Sequence, residues 1–112
     1  MSRRLPPLAA LRAFEAAGRH LSFSKAGEEL LVSQSAISHH IQTLETSLGV
    51  PLFVRRTRAV SLTPEGAGYL ATVRQAFDLL VAGTDAVAAV SANGVGRAAT
   101  QALRPRISPT SA

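Results

Sequence analysis

A chain of 112 residues has room for one modest domain and an appendage, and is too short for two domains of ordinary size. It contains no cysteine, which excludes a disulfide framework or thiolate metal site, and it lacks the apolar run of a signal peptide or spanning helix; a cytoplasmic, membrane-free protein is expected. The formal net charge of +5 sits towards the front: residues 1–62 carry eight Lys and Arg against four Glu, whereas residues 63–90 carry Arg74 against Glu65, Asp78 and Asp85. That distribution fits an anion-binding head on a neutral-to-acidic support.

Behind a short arm containing Arg3 and Arg4, Pro7 suits the first turn of a helix whose apolar stripe is Leu11, Phe14, Gly18 and Leu21. Ser22 or Ser24 can cap a second helix, in which Phe23, Ala26, Gly27, Leu30 and Leu31 share one face. After Leu31-Val32 the pattern restarts. Ser33 can cap a third helix, and Ile37, Ile41, Leu44 and Leu48 recur along it until Gly49 stops it. Two short helices joined by a tight turn make a helix-turn-helix, which points to DNA.

At roughly 100° per residue, Ser35, Ser38, His39, Gln42 and Thr46 lie opposite the stripe of Ile37 and Leu44, with Gln34 at the leading end. Hydroxyl, amide and imidazole groups without fixed charge suit base edges, because they donate and accept in the major groove without the indiscriminate pull of a cation row on phosphates. An ordinary solvated helix face has the same composition, so this surface alone leaves both readings open. Adjacent His39 and His40 diverge around the helix and have no further ligand nearby, which argues against a metal site.

Pro51-Leu52-Phe53-Val54 and Ala59-Val60-Ser61-Leu62 are β-prone runs separated by Arg55-Arg56-Thr57-Arg58. They predict a hairpin with a cationic tip. Such a tip can be a solvated loop, but behind a helix-turn-helix it reads as a wing, with Arg55, Arg56 and Arg58 on phosphates beside the groove.

Thr63-Pro64-Glu65 is a strong helix start: a hydroxyl cap, a proline whose missing N–H costs nothing there, and a carboxylate at the positive end of the dipole. Gly66, Tyr69, Leu70, Val73, Ala76, Phe77, Leu80, Thr84, Val87 and Ala88 keep a three-four spacing up to Asn93-Gly94. At about 1.5 Å per residue this helix reaches roughly 40 Å, more than a small head can cover. Pairing with a second copy through Tyr69, Leu70, Val73, Phe77, Leu80, Thr84 and Val87 is expected, in preference to a fold-back of Tyr69, Phe77 and Leu80 onto the head. Residues 93–112, rich in Ala, Arg, Ser and Pro, read as a disordered tail. The fold class is therefore mainly α: a winged helix-turn-helix over 1–62, with a three-helix core and a small hairpin, then a long linker or dimerisation helix over 63–92.

Several linked motifs stand in one order: Leu11-Arg12-Ala13-Phe14, Ser22-Phe23-Ser24-Lys25-Ala26, Leu31-Val32-Ser33-Gln34-Ser35-Ala36-Ile37-Ser38, Ile41-Gln42-Thr43-Leu44-Glu45, Leu48-Gly49-Val50-Pro51-Leu52-Phe53 and Leu62-Thr63-Pro64-Glu65-Gly66. Over roughly residues 5–90 the chain resembles the N-terminal domain of LysR-type transcriptional regulators, bacterial winged helix-turn-helix proteins. The segments Arg4-Leu5-Pro6-Pro7-Leu8, Arg12-Ala13-Phe14-Glu15-Ala16-Ala17 and His20-Leu21-Ser22-Phe23 are similar to the branch of glycine-cleavage activators and β-lactamase regulators. The resemblance implies that Gln34, Ser35, Ser38 and His39 face bases and that Ser33, Arg55 and Arg56 meet the backbone. Two departures stand out. Where relatives often carry arginine or glutamine this chain has His39 or His40, so a bidentate contact to guanine does not transfer. Gly27 stands where alanine is usual, which costs a helix about 0.5–1 kcal/mol.

Such regulators normally continue into a two-lobed effector-binding domain, so no small-molecule effector site is expected in this chain. The expected partners are double-stranded DNA and a second copy of the chain. Alternatives are a truncated regulator that pairs with full-length relatives through residues 63–92, or a frameshifted remnant. An enzyme is the weakest reading, for there is no phosphate-cradling glycine loop and no carboxylate pair placed for acid–base work. Gly94-Val95-Gly96 has no preceding strand, and no cofactor is expected.

Overall fold

The computed structural model describes residues 5–57 and 59–93. Arg58, the arm with Arg3 and Arg4, Gly94-Val95-Gly96 and all but the first residue of the expected tail lie outside the described residues. The element order is α1 (Leu8–His20), α2 (Phe23–Leu30), α3 (Gln34–Leu48), β1 (Phe53–Arg55), β2 (Val60–Leu62) and α4 (Pro64–Asn93). The chain divides into a unit over residues 1–75 and a second from residue 76 onward.

The helix starts follow from their capping groups. Ser22 Oγ accepts the Lys25 N–H and Ser33 Oγ accepts the Ala36 N–H, both at 3.0 Å. Thr63 Oγ1 accepts the Gly66 N–H at 2.9 Å. Each cap satisfies a donor that the first turn would otherwise leave open, worth about 1 kcal/mol. Pro7 stands one place earlier than expected, as the residue before α1, and its carbonyl accepts from Ala10 and Leu11.

The helix ends correct part of the apolar stripes. Leu21 and Leu31 are left-handed, at φ 51° and 61°, and close α1 and α2. There the chain leaves the helical path, so a side chain no longer has the phase its spacing implies. Leu21 is 48% exposed and Leu31 89% exposed rather than packed. Leu48, the last residue of α3, is also largely outside the core. Gly49 ends α3 as expected, at φ 78°, a conformation that costs glycine nothing.

In the first unit α1, α2 and α3 pack mutually. Alanines 10, 13, 16 and 17 let α1 approach closely, while Phe14, Ile37, Ile41, Leu44 and Leu52 are fully buried, each such large side chain worth about 1.5–3 kcal/mol. The sequence holds four Phe, one Tyr and no Trp, and four of those five aromatic rings form one row. Tyr69 is 5.5 Å from Phe14, Phe14 is 5.7 Å edge-on to Phe53, and Phe53 is 5.3 Å edge-on to Phe23. The row joins α4, α1, β1 and α2.

The hairpin is shorter than its β-prone runs. Phe53, Val54 and Arg55 pair antiparallel with Leu62, Ser61 and Val60. The ladder starts at Phe53; ahead of it Pro51 has no N–H, and Leu52 gives its N–H to Glu45 Oε2 at 2.7 Å. The Arg56 N–H donates to the Ala59 carbonyl at 2.8 Å and closes the tip.

Candidate nucleic-acid interface

The face of α3 opposite Ile37, Ile41 and Leu44 is open. Gln34, Ser35, His39 and Gln42 are exposed, as is the capping Ser33; Ser38 is half-buried. His39, Gln42, Thr43, Thr46 and Ser47 line a shallow concavity along the helix. His40 is half-buried and its ring centre is 6.3 Å from that of His39. Among the described residues no three His, Asp or Glu side chains come close enough to hold a metal ion.

The first turn of α3 projects from a tight turn whose geometry is fixed locally. The Val32 N–H donates to the Gly27 carbonyl at 2.9 Å, and a Cβ on Gly27 would lie 2.7 Å from the Val32 carbonyl oxygen. The helix-interior glycine thus lets the turn fold down onto α2. The free N–H groups of that first turn, with the positive end of the helix dipole, suit a phosphate.

The wing and the helix meet at Arg55. Its Nη1 donates to Ser38 Oγ at 3.2 Å, and its Cζ lies 4.7 Å from the centre of the Phe23 ring. A residue assigned to the backbone and one assigned to bases are therefore brought into contact. Arg56 and Thr57 are exposed at the tip.

Two residues that the sequence did not single out for the site hold the wing in place. Glu45 Oε2 accepts the N–H groups of both Leu52 and Phe53. Thr63, beyond capping α4, donates its hydroxyl to the Pro51 carbonyl at 2.8 Å and its N–H to the Leu52 carbonyl at 3.0 Å. The hint available for Glu45 was an acidic group near the negative end of a helix, where the dipole disfavours it unless it has partners. Between α1 and α2, Arg19 at the end of α1 pairs with Glu15 at 2.7 Å and with Glu29 of α2 at 2.8 Å, and His20 Nε2 lies 2.7 Å from Glu29. The hydrogen bonds from Arg19 and His20 hold the Glu29 carboxyl at a pKa of about 2, well below its ordinary value.

The residues expected to pair two copies fall into two sets. Leu70 and Val73 are buried, Tyr69 packs on Phe14 with its hydroxyl pKa raised by burial, and the Leu70 methyls fill the space a Cβ on Gly18 would need. These three complete the head. Phe77 is half-buried, while Leu80, Thr84 and Val87 are exposed, as are Leu79, Val81 and Val90.

Residues 8–67 match the sequence profile of the bacterial regulatory helix-turn-helix proteins of the lysR family. The chain belongs to the LysR family. It is 52% identical over 94 residues to the glycine cleavage system transcriptional activator of Escherichia coli K12, a match covering 84% of this chain and 31% of that protein. It is 52% identical over 80 residues to a carbapenem-hydrolyzing beta-lactamase transcriptional activator of Serratia marcescens, covering 71% of this chain and 27% of that one. The chain thus spans about three tenths of the length of these LysR relatives. Among solved LysR structures it is similar to the BenM DNA-binding domain in complex with catB site 1 DNA, with TM-score 0.73 and 32% identity over 79% of this chain and 97% of that one. It is also similar to a Corynebacterium glutamicum OxyR variant, with TM-score 0.69 and 35% identity over 83% of this chain and 28% of that one. The described residues form the winged helix-turn-helix DNA-binding domain of a LysR-type regulator, and no helix among them is long and apolar enough to cross a membrane.

Proposed function

We propose that the chain binds double-stranded DNA sequence-specifically as a homodimer, setting α3 of each copy in successive major grooves of an inverted-repeat promoter site, and so regulates transcription without an enzymatic step. The observation that carries this is the uncharged outer face of α3, from Gln34 to Gln42, flanked by an arginine-bearing hairpin. The likeness to a LysR domain complexed with DNA supports it.

In this reading Gln34, Ser35, Ser38, His39 and Gln42 meet base edges, Ser33, Arg55, Arg56 and Arg58 meet phosphates, and the exposed stripe of Leu80, Thr84 and Val87 pairs two copies. Tyr69, Leu70 and Val73 contribute to pairing indirectly, by seating the start of α4 on the head. A gel-shift series at moderate salt, using DNA from upstream of the chain's own gene, tests the proposal. A shift that survives excess bulk DNA is expected; equal displacement by any DNA removes the specificity claim.

A further inference from the structure

Arg55 ends β1, and its guanidinium makes two contacts that a phosphate-binding role does not require. It rests over the Phe23 ring at 4.7 Å, and it donates to Ser38 Oγ at 3.2 Å. Phe23 is 6% exposed and held edge-on by Phe53, so the surface under the guanidinium is fixed by the core rather than by the wing's own loop. A guanidinium has donors only, so in this pair the serine oxygen must accept. Its own hydrogen then points away from Arg55. Among the described residues Ser38 Oγ makes its hydrogen bond to Arg55 and not to the preceding turn of α3, the usual competitor for a helical serine.

We propose that Arg55 is a specificity-positioning residue: it orients the Ser38 hydroxyl as a hydrogen-bond donor towards the major groove, favouring a base-edge acceptor over the cytosine amine. This rests on the DNA reading above. A free serine hydroxyl donates or accepts and tolerates either base edge; one that already accepts from a cation has its hydrogen turned away from that cation, and the adjacent positive charge disfavours accepting a second N–H, so it is biased towards donating. Guanine N7 and O6, adenine N7 and thymine O4 accept, whereas cytosine N4 offers a donor. The base preference at this position is then a property of the wing and helix together.

The test uses the full chain and duplexes carrying the site enriched from a randomised library, with each base pair of one half-site replaced in turn. Replacements include 7-deazaguanine and 7-deazaadenine, which lack the N7 acceptor. The wild type is expected to favour an acceptor at one position by about threefold to tenfold, the range of a single neutral hydrogen bond. Ser38→Ala erases that preference, and Arg55→Met reduces it to less than twofold at the same position. The double variant shows no further change there. Arg55→Lys keeps the charge and the salt slope but loses the planar fork, and relaxes the same position even if Arg55→Met proves unstable. If Arg55→Met and Arg55→Lys only weaken every duplex alike and keep the wild-type profile, Arg55 is a phosphate contact and the inference is wrong. A wild type without preference at any position overturns the DNA reading, and this inference with it.

Discussion

One carboxylate oxygen of Glu45, in α3, lies 2.7 Å from the backbone nitrogen of Leu52, the residue before β1. The same oxygen takes the Phe53 N–H at 3.2 Å, so α3 also carries the root of the wing. Glu45→Ala leaves two part-buried donors without their acceptor and is expected to cost about 1–3 kcal/mol. Glu45→Gln, which keeps an acceptor oxygen, costs less. Chemical unfolding of the two variants gives the comparison, and equal stability of wild type and Glu45→Ala would remove the carboxylate from this role.

Gly66 is where α4 passes under the wing root. A Cβ there collides with the backbone carbonyl oxygen of Leu52, and that carbonyl is already held by the Thr63 N–H. Neither side can give by a rotamer change. Gly66→Ala is expected to lower stability by about 1–3 kcal/mol despite alanine's better helix propensity. By contrast, Gly68→Ala meets open space within 4 Å and should raise the melting temperature or leave it unchanged.

The tip and the helix face should separate by salt. Arg56 is exposed at the tip, and Arg56→Ala is expected to weaken all DNA alike and to flatten the salt slope by about one unit. His39→Ala should instead lower discrimination between sites while leaving the slope near its wild-type value. Titrations of specific and bulk duplexes at several salt concentrations distinguish the two, and parallel losses in both variants would contradict the division.

Acid should loosen the joint between α1 and α2. The Glu29 carboxyl falls from about 4.5 in its ordinary state to about 2 in the folded chain. The unfolded chain therefore binds more protons between those values, so stability rises with pH across that window. The contribution is complete above about pH 4.5 and is lost as pH falls towards 2. The Arg19 and Glu29 side chains are 35% and 38% exposed, so screening limits the pair to about 1 kcal/mol. Glu29→Gln should flatten the stability profile in this window, and an unchanged profile would show that the pair contributes nothing.

The positions that chemistry fixes locally were legible in the sequence. Ser33, Thr63 and Gly49 bound their helices because a cap or a left-handed residue needs only its neighbours, and of the two serines open for α2 it is Ser22 that caps. The outward set of Gln34, Ser35, Ser38, His39 and Gln42 follows from helical period alone; four are exposed and Ser38 is half-buried. What periodicity could not give was the tertiary choice at an element's edge. Leu21, Leu31 and Leu48 continue their stripes in spacing, yet the backbone turns away at Leu21 and Leu31 and directly after Leu48. Tyr69, Leu70 and Val73 belong to the same stripe as Leu80 and Val87, and spacing cannot tell that the head takes the first three. The bond from Arg55 to Ser38 crosses seventeen residues of sequence and depends on where the Phe23 ring sits.

Leu80 and Val87 are 60% and 70% exposed, so replacing them costs a lone chain little. Leu80→Glu with Val87→Glu is expected to halve the mass in solution and leave the melting transition of the head nearly unchanged. A native mass equal to that of the wild type would place the pairing surface elsewhere.

Selection of duplexes from a randomised library by the wild-type chain, with the mass of the resulting complex measured by light scattering, tests the central claim most directly. Enrichment of an inverted repeat whose half-sites are about ten base pairs apart or a multiple of that, bound by two chains per duplex, is the predicted result. A library that emerges unenriched, or a complex with one chain per site and no symmetry in the bound sequences, would contradict it.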